Sequence, residues 1–177
     1  MSQDENPIRY FDNRLQKEAV KLLPGQYYAT ASDKALVTIL GSCVAACIFD
    51  QEKKIGGMNH FMLPDLNFTT NLDACLATKY GVHAMNMLID QLVHLGARRN
   101  KLMAKAFGGG KVLPGFVQQD IGRVNAEFVL EYLDDANIPL ISSDLMSTYA
   151  RKIYYFPADG NVSVSYTHLT LPTKVEV

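Results

Sequence analysis

Cys43 stands directly after Gly41-Ser42 at the end of an apolar run, and His60 follows seventeen residues later in "GGMNHFMLP". A thiol and an imidazole at this distance in the chain are the raw material of covalent acyl transfer, in which the base takes the thiol proton and the thiolate attacks a carbonyl carbon. Gly56 and Gly57 permit close backbone approach before His60, so neighbouring strands can bring the ring back beside Cys43. The "LGSC" turn can also gather backbone N–H groups of Ser42 and Cys43 into one small volume suited to an oxyanion. A third group must orient the imidazole, and Thr38, Asn59 or a backbone carbonyl qualifies. The plainer reading stands beside this one. Cys43 can be a small buried hydrophobe, His60 a satisfied core or surface histidine, and Thr38 a β-branched strand residue.

Other chemistries fit less well. Cys43, Cys47 and His60 offer three potential metal ligands, with His83 as a fourth, but the cysteines lie in an apolar run instead of a hairpin-like knuckle. A Cys43–Cys47 disulfide is disfavoured because one continuous strand holds the two residues far apart. Three cysteines, counting Cys75, and no C-x-x-C pair argue for reduced thiols. Gly108, Gly109 and Gly110 precede Lys111-Val112, so "AFGGGKV" is not a phosphate loop.

These residues need a scaffold. The 177-residue chain is 48% hydrophobic with a formal charge of −1, enough for one continuous core and without the cationic excess of a nucleic-acid binder. No apolar run approaches a membrane span, and the N-terminus lacks a basic segment leading into an apolar one, so a soluble cytoplasmic protein is expected. Strands are predicted at "KALVTIL", "CVAACIF" (or an element that begins helically), "KLMAKAF", "IPLISSDL", "ARKIYYFP" and "NVSVSYT". "EAVKLLPGQYYATA" reads as an extended segment broken at Pro24-Gly25, and "DLNFTTNLD" as a polar surface loop. One helix is expected within "NLDACLATKYGVHAMNMLIDQLVHLGA", with Gly96 beyond its end, and a second near Gly122 to Asp135. The expectation is a single α+β domain, a layered mixed β-sheet with two principal amphipathic helices on one side. Its parts are a flexible leader at 1–8, the domain at 9–166 and a C-terminal tail at 167–177.

"LVTILGSCVAACIFD", "GGMNHFMLP", "AKAFGGGKVL", "IGRVNAEFVLEYL" and "ARKIYYFP" together resemble the CheD family of chemoreceptor glutamine deamidases, in order and spacing, from about Arg9 to Val164. The resemblance implies a Cys43 nucleophile, a His60 base and a Thr38 partner. It further implies hydrolysis of glutamine side chains on methyl-accepting chemoreceptor helices, no cofactor or metal, transient association with membrane receptors, and a CheC-like phosphatase as a further partner. Thr38 carries over only if its strand register turns it towards His60. Ser42, Asn59, Gly108 and Gly109 are oxyanion or pocket candidates. Met146 and Ser147 replace the glycines and small polar residue expected near the later strand, and Arg151 reads first as a solvated strand end and second as a contact with the substrate surface. His83, His94 and His168 receive no chemistry. A non-catalytic receptor-binding regulator and a receptor methyl-ester hydrolase are the alternatives.

Overall fold

The computed structural model describes residues 6–64, 70–112, 120–166 and 173–177. Residues 1–5, most of the "DLNFTTNLD" segment and most of the expected tail lie outside them. Strand β5, Val44–Asp50, explains the architecture. All seven of its residues are buried, which a strand achieves only with layers on both faces. Val44, Ala46 and Ile48 turn one way into a core shared with the helices; Ala45, Cys47 and Phe49 turn the other way into a core between two sheets. Its unbroken apolar sequence follows from this double burial, and the residues expected at "CVAACIF" form a strand throughout.

The two sheets are both mixed. Strands β1 (Ile8–Asp12), β2 (Lys17–Lys21), β4 (Ala35–Leu40), β9 (Arg151–Phe156), β10 (Asn161–Tyr166) and β11 (Thr173–Glu176) form one in that order. Strands β3 (Tyr27–Thr30), β6 (Ile55–Asn59), β5, β7 (Met103–Gly108) and β8 (Leu140–Leu145) form the other. Helices α1 (Asn71–His94) and α2 (Ile121–Asp135) cover the outer face of this second sheet. The helices thus lie on one side, as expected, but of the second member of a sheet pair. An α-β-β sandwich results.

Both helices begin at side-chain caps. The Thr70 hydroxyl accepts the Asp73 N–H, and the Asp120 carboxylate accepts the Arg123 N–H. Gly96 sits just beyond α1 with φ +108°, the left-handed stop expected there. Met85, Leu88, Ile89 and Leu92 of α1 and Val129 and Leu133 of α2 point into the helix-side core. α2 also joins β7 to β8, the crossover that a parallel pair requires.

Two elements differ from the sequence reading. β1 pairs antiparallel with β2, a hairpin whose half-exposed residues lack a clear alternating pattern. Thr173–Glu176, within the segment expected to be a tail, pairs antiparallel with β10.

Candidate active site

The site forms where β4 leaves the first sheet and the chain crosses through Gly41, Ser42 and Cys43 into β5 of the second. On β4, Leu36, Thr38 and Leu40 face the inter-sheet core, whereas Ile39 is about half exposed. This register carries the hydroxyl of Thr38 inward, and its Oγ1 lies 2.7 Å from His60 Nδ1.

The hydrogen-bond chemistry assigns the imidazole tautomer. Thr38 Oγ1 donates to the Leu22 carbonyl at 2.8 Å, which uses its single hydrogen. The contact to His60 must then run the other way, with Nδ1–H donating to the hydroxyl. Nε2 keeps its lone pair, and this buried atom has no partner among the described residues. A neutral imidazole with an uncommitted Nε2 is a proton acceptor in waiting. Burial pulls the His60 pKa down to about 4, opposed by the nearby Leu22 carbonyl.

Strand register places Cys43 on the same side of the sheet as this ring. Val44 and Phe61 exchange both backbone bonds, each 3.0 Å, so β5 and β6 remain paired through the residues just beyond β6. Cys43 and His60 are therefore diagonal neighbours on the inter-sheet face, positions about 7–8 Å apart in backbone and bridgeable by side chains. Cys43 is half-buried and its thiol pKa is raised, mainly by burial, with its own amide N–H opposing the rise. The resting pair is a neutral thiol and a neutral imidazole.

The backbone around Cys43 is clamped from behind. Its carbonyl accepts Gly109 N–H at 2.8 Å, the Gly41 carbonyl accepts Gly110 N–H at 2.8 Å, and the Ser42 carbonyl accepts Asn125 Nδ2 at 2.9 Å. A Cβ on Gly108, whose φ is +108°, would meet the Cys43 carbonyl oxygen at 2.2 Å. Gly108 and Gly109 thus support the cysteine's main chain, and only residues without side chains permit this approach. Ser42 adjoins the site on the other side, with its Oγ 4.0 Å from Met62 Sδ.

Asn59 does not join this group. It points from the opposite face of β6, accepting Ala46 N–H at 2.9 Å through Oδ1 and donating to Met85 Sδ at 3.3 Å. There it lines a cavity of about 200 Å³ with Tyr27, His60, Phe61, Tyr80 and His83. Strand alternation is the reason: residues 59 and 60 cannot face the same way. Cys47 belongs to the inter-sheet core, fully buried, and its thiol is pushed well above the ordinary range by that burial.

Arg151 is the clearest correction. It is fully buried instead of solvated, donating to the carbonyls of Gly108, Asp144 and Met146 and lying 3.6 Å from the Asp144 carboxylate. Its face of β9 also carries Ile153 and Tyr155, so the alternation of "ARKIYYF" was the available signal. Met146 and Ser147 have φ 68° and 72°, the backbone conformation for which glycine is the usual residue. Met146 N–H reaches Gly108 O at 2.8 Å and Lys111 N–H reaches Ser147 O at 2.7 Å, so this turn braces the glycine loop. Asn125 also escaped the sequence reading, although a polar residue in the stripe Gly122, Asn125, Ala126, Val129, Leu133 marks a buried helix face with a polar task.

Residues 62–166 match a family model described as CheD chemotactic sensory transduction. That interval covers the glycine loop, α2 and Arg151 and begins just after His60. Longer matches extend over the site. The chain is 52% identical over 158 residues to the probable chemoreceptor glutamine deamidase CheD 1 of Shewanella oneidensis, covering 89% of this chain and 77% of that protein. It is 50% identical over 160 residues to the protein of the same name from Dechloromonas aromatica, covering 90% and 79%. It is 52% identical over 156 residues to the probable chemoreceptor glutamine deamidase CheD of Methylobacillus flagellatus, covering 88% and 77%. With half its residues identical to theirs over most of both chains, this chain belongs to the CheD family.

Proposed function

We propose that the chain hydrolyses the side-chain amide of specific glutamines on methyl-accepting chemoreceptors, yielding glutamate and ammonia, in adaptation of chemotactic signalling. The observation that carries this reading is the bond from His60 Nδ1 to Thr38, which leaves Nε2 free as a base on the face shared with Cys43. Relatives about half identical are named for the same activity.

Cys43 is the nucleophile, His60 the general base and Thr38 the residue that fixes the imidazole. As the thiol proton passes to Nε2, sulfur attacks the amide carbon and the carbonyl electron pair moves onto oxygen. The tetrahedral oxyanion meets backbone N–H donors at Ser42 and Cys43. His60 then gives its proton to nitrogen, the C–N bond breaks and ammonia leaves a thioester on Cys43. Water attacks that thioester while His60 removes its proton; the C–S bond breaks and the imidazolium returns a proton to sulfur. Each turnover replaces a neutral side chain by an anion, which changes charge repulsion between packed receptor helices.

The substrate places the enzyme in the cytoplasm, transiently at membrane receptors, with a CheC-like phosphatase as a further partner. No helix among the described residues is long and apolar enough to cross a membrane.

The test is incubation with a receptor cytoplasmic fragment, followed by peptide mass spectrometry for gains of about one dalton at glutamines, the change from an amide to an acid. Conversion is expected for the wild type and should be lost in folded C43A and H60A variants. Conversion retained by C43A rejects covalent catalysis. Release of methanol from a methylated fragment without glutamine conversion points to the ester hydrolase, and receptor binding without turnover to the non-catalytic regulator.

A further inference from the structure

Three successive carbonyls, those of Gly41, Ser42 and Cys43, leave the turn on its buried side. The outer two are held by main-chain N–H groups of Gly110 and Gly109, and the middle one is held by a side chain, Asn125 Nδ2. Asn125 is wholly buried on α2, and its Oδ1 accepts Leu63 N–H at 2.9 Å. Its two bonds leave no doubt about the amide's orientation: Leu63 N–H requires the oxygen, and the Ser42 carbonyl requires the NH2. One side chain therefore ties α2 to the cysteine turn and to the segment three residues beyond His60.

The consequence lies in the geometry of one peptide unit. The bond between Ser42 and Cys43 is trans, so its C=O and N–H point in opposite directions within a plane. Anchoring the carbonyl inward turns the Cys43 N–H outward, away from α2. Among the described residues none accepts it from elsewhere. A donor fixed beside the nucleophile is what a tetrahedral oxyanion needs, and fixing it beforehand avoids reorganisation during attack.

We propose that Asn125 is a positioning residue that sets the Ser42–Cys43 peptide plane and thereby aims the Cys43 N–H at the oxyanion formed when sulfur adds to the substrate carbonyl. This rests on the assignment of Cys43 as nucleophile and adds the group that orients its oxyanion donor. Asn125 touches no substrate and acts through the backbone.

Two reagents that meet the same sulfur test it on the full chain. p-Nitrophenyl acetate acylates the thiol through a tetrahedral oxyanion: a C–S bond forms, p-nitrophenolate leaves, and the thiol proton goes to base. Iodoacetamide alkylates by displacement at a saturated carbon, with iodide leaving and no oxyanion formed. Both rates at Cys43 are read by peptide mass spectrometry, which separates them from Cys75, in wild type, N125A and N125D. Asp keeps the acceptor for Leu63 N–H while losing the donor to Ser42. Circular dichroism confirms that each variant is folded, and the ratio of the two rates within one folded sample cancels differences in access and thiolate fraction.

The expected result is a fall in the acylation-to-alkylation ratio on the order of 10²-fold in both variants, the usual cost of one oxyanion donor. An unchanged ratio, whether both rates fall together or neither does, overturns the proposal and leaves Asn125 as a packing residue. A wild type that acylates Cys43 yet converts no receptor glutamine overturns the deamidase assignment, while the ratio still decides the role of Asn125.

Discussion

The Thr38 hydroxyl sits between the Leu22 carbonyl, 2.8 Å away, and His60 Nδ1, 2.7 Å away, and so decides which imidazole nitrogen carries the proton. Removing that hydroxyl frees the ring to take the other tautomer and to rotate. T38V should keep the β4 packing yet lower glutamine conversion on the order of 10²-fold, while T38S retains most of it. Steady-state deamidation rates for the two variants check this. Equal activity in T38V would remove Thr38 from the machinery.

The pH profile should reflect the buried imidazole. His60 is pulled down to about 4 by burial, so it stays a neutral base far below the pH at which an ordinary histidine protonates. The acid limb of kcat/KM is expected near pH 4, not near 6.5. Alkylation of Cys43 should keep climbing above about pH 9, because burial raises its thiol. An acid limb near 6.5 would mean that His60 is solvated in the working enzyme.

The same group links stability to pH. Between about pH 4 and 6.5 the unfolded chain binds a proton at residue 60 that the native protein refuses, so stability falls as the solution is acidified through that window. The total is about 3 kcal/mol. Asp50 adds a second loss at lower pH, because the buried carboxylate is held well below its usual range by Arg98, whose Nη2 lies 2.8 Å away. Urea unfolding at a series of pH values should show H60Q flattening the first loss and leaving the second.

Arg151 should prove structural in a way that lysine cannot mimic. Its guanidinium serves three carbonyls at once, and two of them, Gly108 and Met146, belong to the loops that brace Cys43. Truncating it strands those groups and the nearby Asp144; R151A should cost on the order of 3–5 kcal/mol, and R151K should recover little because a single ammonium cannot span the fork. Thermal or denaturant unfolding measures both.

Ser147 offers a change of the opposite sign. Its φ of 72° strains a side-chain-bearing residue, and glycine relieves that strain. S147G should stabilise by about 0.5–1 kcal/mol after the greater freedom of glycine in the unfolded chain is counted. A loss of stability would show that the serine side chain makes a contact worth more than the strain.

Much of this molecule is written in its local patterns. The apolar stripe of Met85, Leu88, Ile89 and Leu92 marks a helix whatever surrounds it, and Gly96 ends it because left-handed backbone suits glycine. Runs such as "ALVTIL" declare strands by β-branched content. Cys43, His60 and Thr38 were legible as chemical types, and their grouping followed from the family resemblance. What local pattern could not decide is direction. A strand alternates with period two, so whether Thr38 and His60 face each other or turn away depends on pairings with partners distant in the chain, here β9 for Thr38 and β5 for the segment leading to His60. The same alternation removed Asn59 from the site. The division into two sheets, the burial of Arg151 and the reach of Asn125 from α2 to Ser42 likewise rest on long-range contacts. Residue types and spacing determine which groups are available; tertiary structure alone decides which of them share a face, lose water and accept one another's protons.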